Sequence, residues 1–123
     1  MDWKFKPGLP IYTQIAEQMK LSIAKGLYQP GEKIPAVREL AMEAAVNPNT
    51  MQRALMEMER EGLFYTERTN GRFVTKEEET LDKMRIALGE EFIRELFTNL
   101  EKMGLNKEQI VKAVAKWAEE AGK

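Results

Sequence analysis

Asn49, Arg53, Met56 and Arg60 recur at spacings of three or four residues and are flanked by Gln52 and Glu57. On a helix these positions share one face. Amides and guanidinium groups arrayed in this way can pair with the edges of planar bases: Arg grips guanine bidentately, and Asn or Gln grips adenine. Between them, Met51, Ala54, Leu55 and Met58 fall on the opposite face and are apolar. The chemistry on offer is recognition rather than bond-making. The chain of 123 residues has no histidine and no cysteine. The commonest general base, the commonest metal ligand and every thiolate nucleophile are therefore missing. No nucleophile–base pair is visible, so no catalytic, metal-binding or cofactor-binding residue is assigned and no enzyme is expected.

The elements that must hold this face can be read on either side of it. Asn47 suits an N-cap, and Pro48 suits the first helical position, where its missing N–H costs nothing. Gly62 closes the helix. Upstream, Val37, Leu40, Ala41 and Ala44 fall at i, i+3, i+4 and i+7, a second short helix. The stretch Ala36 to Gly62 thus predicts a helix-turn-helix. Before it, Ile11, Ile15, Met19 and Ile23 predict a helix over roughly Pro10 to Lys25 that Gly26 ends. Gln29 to Glu32 reads as a turn, and Trp3-Lys4-Phe5 as a short strand. After Gly62 the period changes. The β-prone runs Leu63–Glu67 and Arg72–Thr75 flank Arg68-Thr69-Asn70-Gly71, and Asn-Gly is a strong hairpin signal. Three helices followed by a hairpin describe a winged helix over residues 1–76. The expected fold is mostly α with a small β-hairpin, of the α+β class.

Charge gives little direct help, since the net value is −1. Residues 1–76 hold eleven Lys/Arg and nine Asp/Glu (+2), and residues 77–123 hold eight and eleven (−3). A basic patch can exist only locally, on the face carrying Arg38, Arg53, Arg60, Arg68 and Arg72. Beyond Lys76 a long helix is expected from Glu77 to about Met103. Its apolar rows are Leu81, Met84, Leu88, Phe92, Leu96, Leu100 and Ile86, Ile93, Phe97. Asn106, with Gln109 three residues on, caps a last helix whose rows are Ile110, Val114, Trp117 and Val111, Ala118. Two helices cannot bury so much apolar surface on each other. Residues 77–123 are therefore expected to dimerise two copies of the chain through Leu88, Phe92, Leu96, Leu100 and Trp117, in preference to packing back on their own winged helix. Trp3 and Trp117 are expected as packing anchors. No apolar run approaches a membrane span, and the absence of cysteine fits the cytoplasm.

Several stretches together resemble the GntR family of bacterial transcription regulators. They are Pro10-Ile11-Tyr12 with Gln14-Ile15, Gly26, Pro30-Gly31-Glu32-Lys33-Ile34-Pro35, Val37-Arg38-Glu39-Leu40-Ala41, Val46-Asn47-Pro48-Asn49-Thr50 with Arg53-Ala54, Glu59 with Gly62-Leu63, and Gly71 with Phe73-Val74. They cover residues 10–75. The short C-terminal part resembles the YtrA-like branch, with two dimerising helices in place of a large ligand domain. The resemblance implies DNA contacts by Arg38, by Asn47, Asn49, Thr50, Gln52 and Arg53, and by Gly71 in the wing. The chain departs from the family pattern in three places. Ala36 stands where a small capping residue such as Ser is usual. In the wing, Thr69 replaces a Gly, and Arg72 replaces a Thr, where it would supply a phosphate contact.

The reading is a sequence-specific, homodimeric repressor of transcription that binds an inverted repeat in double-stranded DNA. The alternative is a winged-helix module used for protein–protein assembly. The C-terminal part is too short to enclose an effector within one chain. Either there is no effector, or an unknown small-molecule effector binds where two copies meet.

Overall fold

A computed structural model of the chain describes residues 1–122 and contains α1 (Ile11–Ala24), α2 (Val37–Ala44), α3 (Pro48–Arg60), β1 (Phe64–Glu67), β2 (Gly71–Val74), α4 (Glu78–Lys102) and α5 (Lys107–Ala121). The chain divides into two compact units, Met1–Arg85 and Ile86–Lys123. The break falls within α4 rather than at its start, because Leu81 and Met84 are buried and belong to the first unit.

The core of the first unit forms where α3 packs on α1 and α2. Met51, Ala54, Leu55 and Met58 are each 0% exposed. They meet a core that includes Ile15, Met19 and Ile23 of α1 and Leu40 and Ala41 of α2. Each large side chain withdrawn from water in this way contributes about 1.5–3 kcal/mol. Asn47 caps α3 as expected, its side-chain oxygen accepting from the Asn49 N–H at 2.8 Å. The turn between α2 and α3 has a cost the sequence did not signal. Ala45 stands at φ 57° and is the only non-glycine with positive φ among the described residues. The Val46 N–H reaches back to the Ala41 carbonyl at 2.9 Å. Gly62 closes α3 in the same way, with Leu63 N–H bonded to the Met58 carbonyl. An alanine in this conformation costs on the order of 1 kcal/mol. It is tolerated because both flanking helices are docked on one core and must be joined by a short turn.

The hairpin pairs Phe64 with Val74 and Glu67 with Gly71, antiparallel, with three residues between them. It is not the two-residue turn that Asn-Gly favours. That turn needs left-handed residues at both centres, and only Gly71 is left-handed here, at φ 107°. The longer loop is closed instead by the Asn70 N–H on the Glu67 carbonyl. Gly31 to Ile34 runs beside β2 as a third rung. The Gly31 N–H donates to the Val74 carbonyl, Val74 N–H to Glu32, and Ile34 N–H to Arg72. The expected turn is present just before it, where Glu32 N–H bonds the Gln29 carbonyl at 3.0 Å.

Trp3-Lys4-Phe5 forms no strand, because no strand lies beside it. Two glutamines one turn apart on α1 take the partner's place. Gln18 donates to the Lys4 carbonyl and accepts from its N–H. Gln14 does the same for Lys6 and also donates to the Leu9 carbonyl.

In the second unit the capping box at α5 is complete: Asn106 accepts from the Gln109 N–H, and Gln109 from the Asn106 N–H. Ile110 is fully buried, while Ile86, Phe92 and Trp117 are 67%, 64% and 70% exposed. Trp117 is thus no packing anchor within the chain, because no neighbouring side chain covers it. Trp3 is half-buried. Among the described residues no helix is long and apolar enough to cross a membrane.

Two expectations follow from these local structures. Ala36 occupies the N-cap of α2 with no side-chain bond, and Glu39 sits in the first turn ready to complete a capping box. Ala36→Ser should raise stability by about 1 kcal/mol, read as a higher melting temperature. The wing is held by Glu59 of α3. Its Oε1 accepts from the Thr66 hydroxyl at 2.7 Å and from Arg72 Nε at 3.0 Å. The Thr66 hydroxyl foremost holds this carboxyl below its ordinary value of 4.5; burial opposes it, and the hydrogen bond and charge of Arg72 add to the lowering. A carboxyl lowered by folding stabilises above its unfolded pKa and loses that contribution as pH falls through the folded one. The melting temperature of the wild type should therefore fall more steeply than that of Glu59→Gln as pH drops below 4.5.

Candidate nucleic-acid interface

With one face of α3 sealed in the core, the opposite face is fixed in solvent. Asn49, Arg53, Met56 and Arg60 are exposed, and Gln52 and Glu57 are half-buried at its flanks. Asn47 is occupied as the cap, and Thr50 is half-buried in the first turn. Pro48 has no N–H and the Asn49 N–H is taken by the cap, so the Thr50 N–H is left at the positive end of the helix dipole, where it suits a phosphate. Arg38 lies exposed in the first turn of α2.

The arginines differ in what already engages them. Arg60 is paired with Glu57 at 2.7 Å, one turn back on the same helix. Arg72 is turned inward to Glu59, and its side chain is 16% exposed. The expected phosphate contact at Arg72 therefore meets a side chain engaged elsewhere, because Glu59 of α3 lies within reach of the wing. Arg38, Arg53 and Arg68 form no ion pair among the described residues. Arg53 is held differently, with its guanidinium carbon 3.8 Å from the centre of the Tyr12 ring on α1.

Between the start of α2, α3 and the wing lies an open cleft of ≈ 730 Å³, lined among others by Lys33, Ala36, Gln52, Thr69 and Gly71. It brings Gln52, Gly71 and Arg72 together, while Arg38, Asn49 and Arg53 lie outside its lining. Gly71 has a role here that is independent of any partner. A Cβ at this position would stand 2.9 Å from Lys33 Cε, so the bare backbone makes room for the lysine stem. Sequence reasoning did not single out Lys33 as a functional cation. The signal was its place in Gly31-Glu32-Lys33-Ile34-Pro35, the segment that bridges to Phe73 of the wing. An exposed ammonium at the mouth of this cleft can serve a phosphate as a point charge.

The arrangement of an exposed amide and guanidinium face on α3, the cation Arg38 on α2, and a wing with a lysine-lined cleft suits the backbone and base edges of a duplex. Comparison with known proteins agrees. Residues 11–74 match the family of bacterial regulatory proteins named after gntR. The "Uncharacterized HTH-type transcriptional regulator YhcF" of Bacillus subtilis is 36% identical over 97% of this chain and 98% of its own length. The "HTH-type transcriptional repressor YtrA" of the same organism is 37% identical over 85% of this chain and 82% of its own. The solved structure of a GntR family transcriptional regulator from Listeria monocytogenes superposes with a TM-score of 0.77 at 34% identity, over 91% of this chain and 98% of that one. The chain belongs to the GntR family of bacterial regulatory proteins and is a DNA-binding, helix-turn-helix regulator of transcription.

Proposed function

We propose that two copies of this chain assemble through α4 and α5 and act in the cytoplasm as a repressor, occupying an inverted-repeat operator. The observation that carries the DNA side is the division of α3 into a fully buried apolar face and an exposed face of Asn49, Arg53 and Arg60. The repressor assignment is supported by the name of the similar YtrA protein, which this chain matches over most of its length. Each copy would lay α3 in a major groove, with Asn49, Gln52 and Arg53 toward base edges. Arg38, the first turn of α3 at Asn47 and Thr50, and the wing at Gly71 would meet the sugar–phosphate backbone. We assign the wing's phosphate contact to Lys33 and give Arg72 the task of fixing the hairpin to α3.

Dimerisation is supported by the apolar side chains that the second unit leaves uncovered. On α4, Ile86, Phe92, Ile93 and Leu96 are 67%, 64%, 54% and 38% exposed. On α5, Val111, Val114 and Trp117 are 57%, 40% and 70% exposed. Leu88 and Leu100 are half-buried beside them. Apolar surface on this scale marks an interface. A second copy is the occupant that a two-fold operator demands, and any effector would bind where the copies meet.

The wild type should sediment as a dimer at micromolar concentration. Phe92→Glu should yield monomers, because the interface would have to bury an unpaired charge. A monomeric wild type would remove the assembly proposal and leave the DNA reading standing.

On DNA, the preferred site should be an inverted repeat with half-sites one helical turn apart or a multiple of it. Arg53→Ala should cost roughly 1–3 kcal/mol per half-site and relax the preference at one base pair. Lys33→Ala should weaken all sequences alike and lower the salt slope by about 1 for each phosphate no longer neutralised. The check is a salt series on a selected duplex and on scrambled DNA. If the wild type binds no duplex at low salt, the protein-assembly alternative takes its place.

A further inference from the structure

Three cations near the interface are held in two different ways. The differences decide which of them can read a base. Arg60 and Arg72 are held through their N–H groups, by Glu57 and Glu59. Each ion pair takes a rim donor and ties the guanidinium to a carboxylate. Arg53 is held through its flat face, with the guanidinium carbon 3.8 Å above the Tyr12 ring. A guanidinium donates in its own plane, through five N–H groups around its rim. Stacking on a ring uses the face and leaves the rim free.

The ring is itself a fixed platform. Tyr12 lies in the first turn of α1 and is half-buried, while Gln14, Ile15 and Ala16 beside it are buried in the core on which α3 docks. A free arginine carries about 2 kcal/mol of side-chain entropy, which a base contact must overcome. An arginine already laid on a ring has given up part of that freedom before DNA arrives. Arg53 otherwise has no partner to fix it among the described residues, since it forms no ion pair or side-chain hydrogen bond there.

We propose that Tyr12 is a positioning residue for base recognition: its ring presets Arg53 on the exposed face of α3 so that the guanidinium rim meets the paired acceptors of a guanine. This rests on the reading of Arg53 as a base reader, and it gives α1 a part in sequence preference without contact to a base.

The test uses the full chain as wild type, Tyr12→Phe, Tyr12→Leu, Arg53→Ala and the double variant Tyr12→Leu/Arg53→Ala. The probes are a duplex selected from random-sequence DNA by the wild type, its single-base-pair variants, and a scrambled duplex. Thermal melts followed by circular dichroism monitor folding, and Tyr12→Met stands in should the leucine variant fold poorly. Tyr12→Leu should lower the preference at the Arg53-dependent base pair by about 2- to 5-fold per half-site, the worth of an exposed cation–π contact. It should leave binding to scrambled DNA unchanged and have no further effect on preference in the Arg53→Ala background. Tyr12→Phe keeps the ring and should keep the preference.

Equal weakening of all duplexes by Tyr12→Leu would mean a merely structural role and overturn the proposal. So would a loss in Tyr12→Phe as large as in Tyr12→Leu, which would place the effect in the hydroxyl. Tighter or more selective binding by Tyr12→Leu would make the ring a parking place, and that too would overturn it. If Arg53→Ala leaves the preference intact, the base-reading role of Arg53 itself falls. If Arg53→Ala relaxes the preference and Tyr12→Leu does not, only the role of Tyr12 falls.

Discussion

The burial of one face of α3 is the constraint from which the rest of the first unit follows. Met51, Ala54, Leu55 and Met58 have no surface left to water. A helix sealed along one stripe cannot roll about its axis without exposing that stripe, so its outer face is fixed as firmly as its core. Truncating Leu55 to alanine would cost about 2–5 kcal/mol, a large share of the stability of a small domain. The direction in which the helix face carrying Asn49 and Arg53 points is therefore maintained by hydrophobic packing. The strained turn at Ala45 fits the same logic, since about 1 kcal/mol of local cost is small beside the burial it permits.

Charge in this chain is arranged by what consumes it rather than by how much there is. The net value is −1, yet Arg38 and Arg53 stay clear of carboxylates where the helix-turn-helix meets solvent. Two carboxylates on α3 remove two arginines from that set: Glu57 takes Arg60, and Glu59 takes Arg72. The second pairing ties the hairpin to the helix it must work beside, with Thr66 on the same carboxylate oxygen. The wing then presents Lys33 across the bare backbone of Gly71. Arg72 is thereby part of the scaffold, and Lys33 beside β2 is left exposed.

The second unit has the opposite character. Its helix ends are well made, with the reciprocal Asn106–Gln109 cap, but its apolar side chains are mostly uncovered. Helix termini are satisfied locally, whereas an apolar stripe needs another layer. A structure can therefore have sound secondary elements and uncovered apolar side chains at once.

Features that depend on neighbours a few residues away were legible in the sequence. The caps at Asn47 and Asn106, the closing glycine at 62, the start of α2 at Val37, and the burial of every third or fourth residue of α3 rest on helical geometry and local hydrogen bonds. The hairpin was legible for the same reason. Everything else was settled by packing. It set Gly31–Ile34 beside β2, gave the N-terminal arm glutamine side chains in place of a strand, and put Arg72 on Glu59 and Arg53 on Tyr12. Each of these choices is made between groups far apart in the chain. A cation can pair with whichever carboxylate or ring lies within a few ångströms, and only the docking of α1, α3 and the wing brings one candidate close and removes the others.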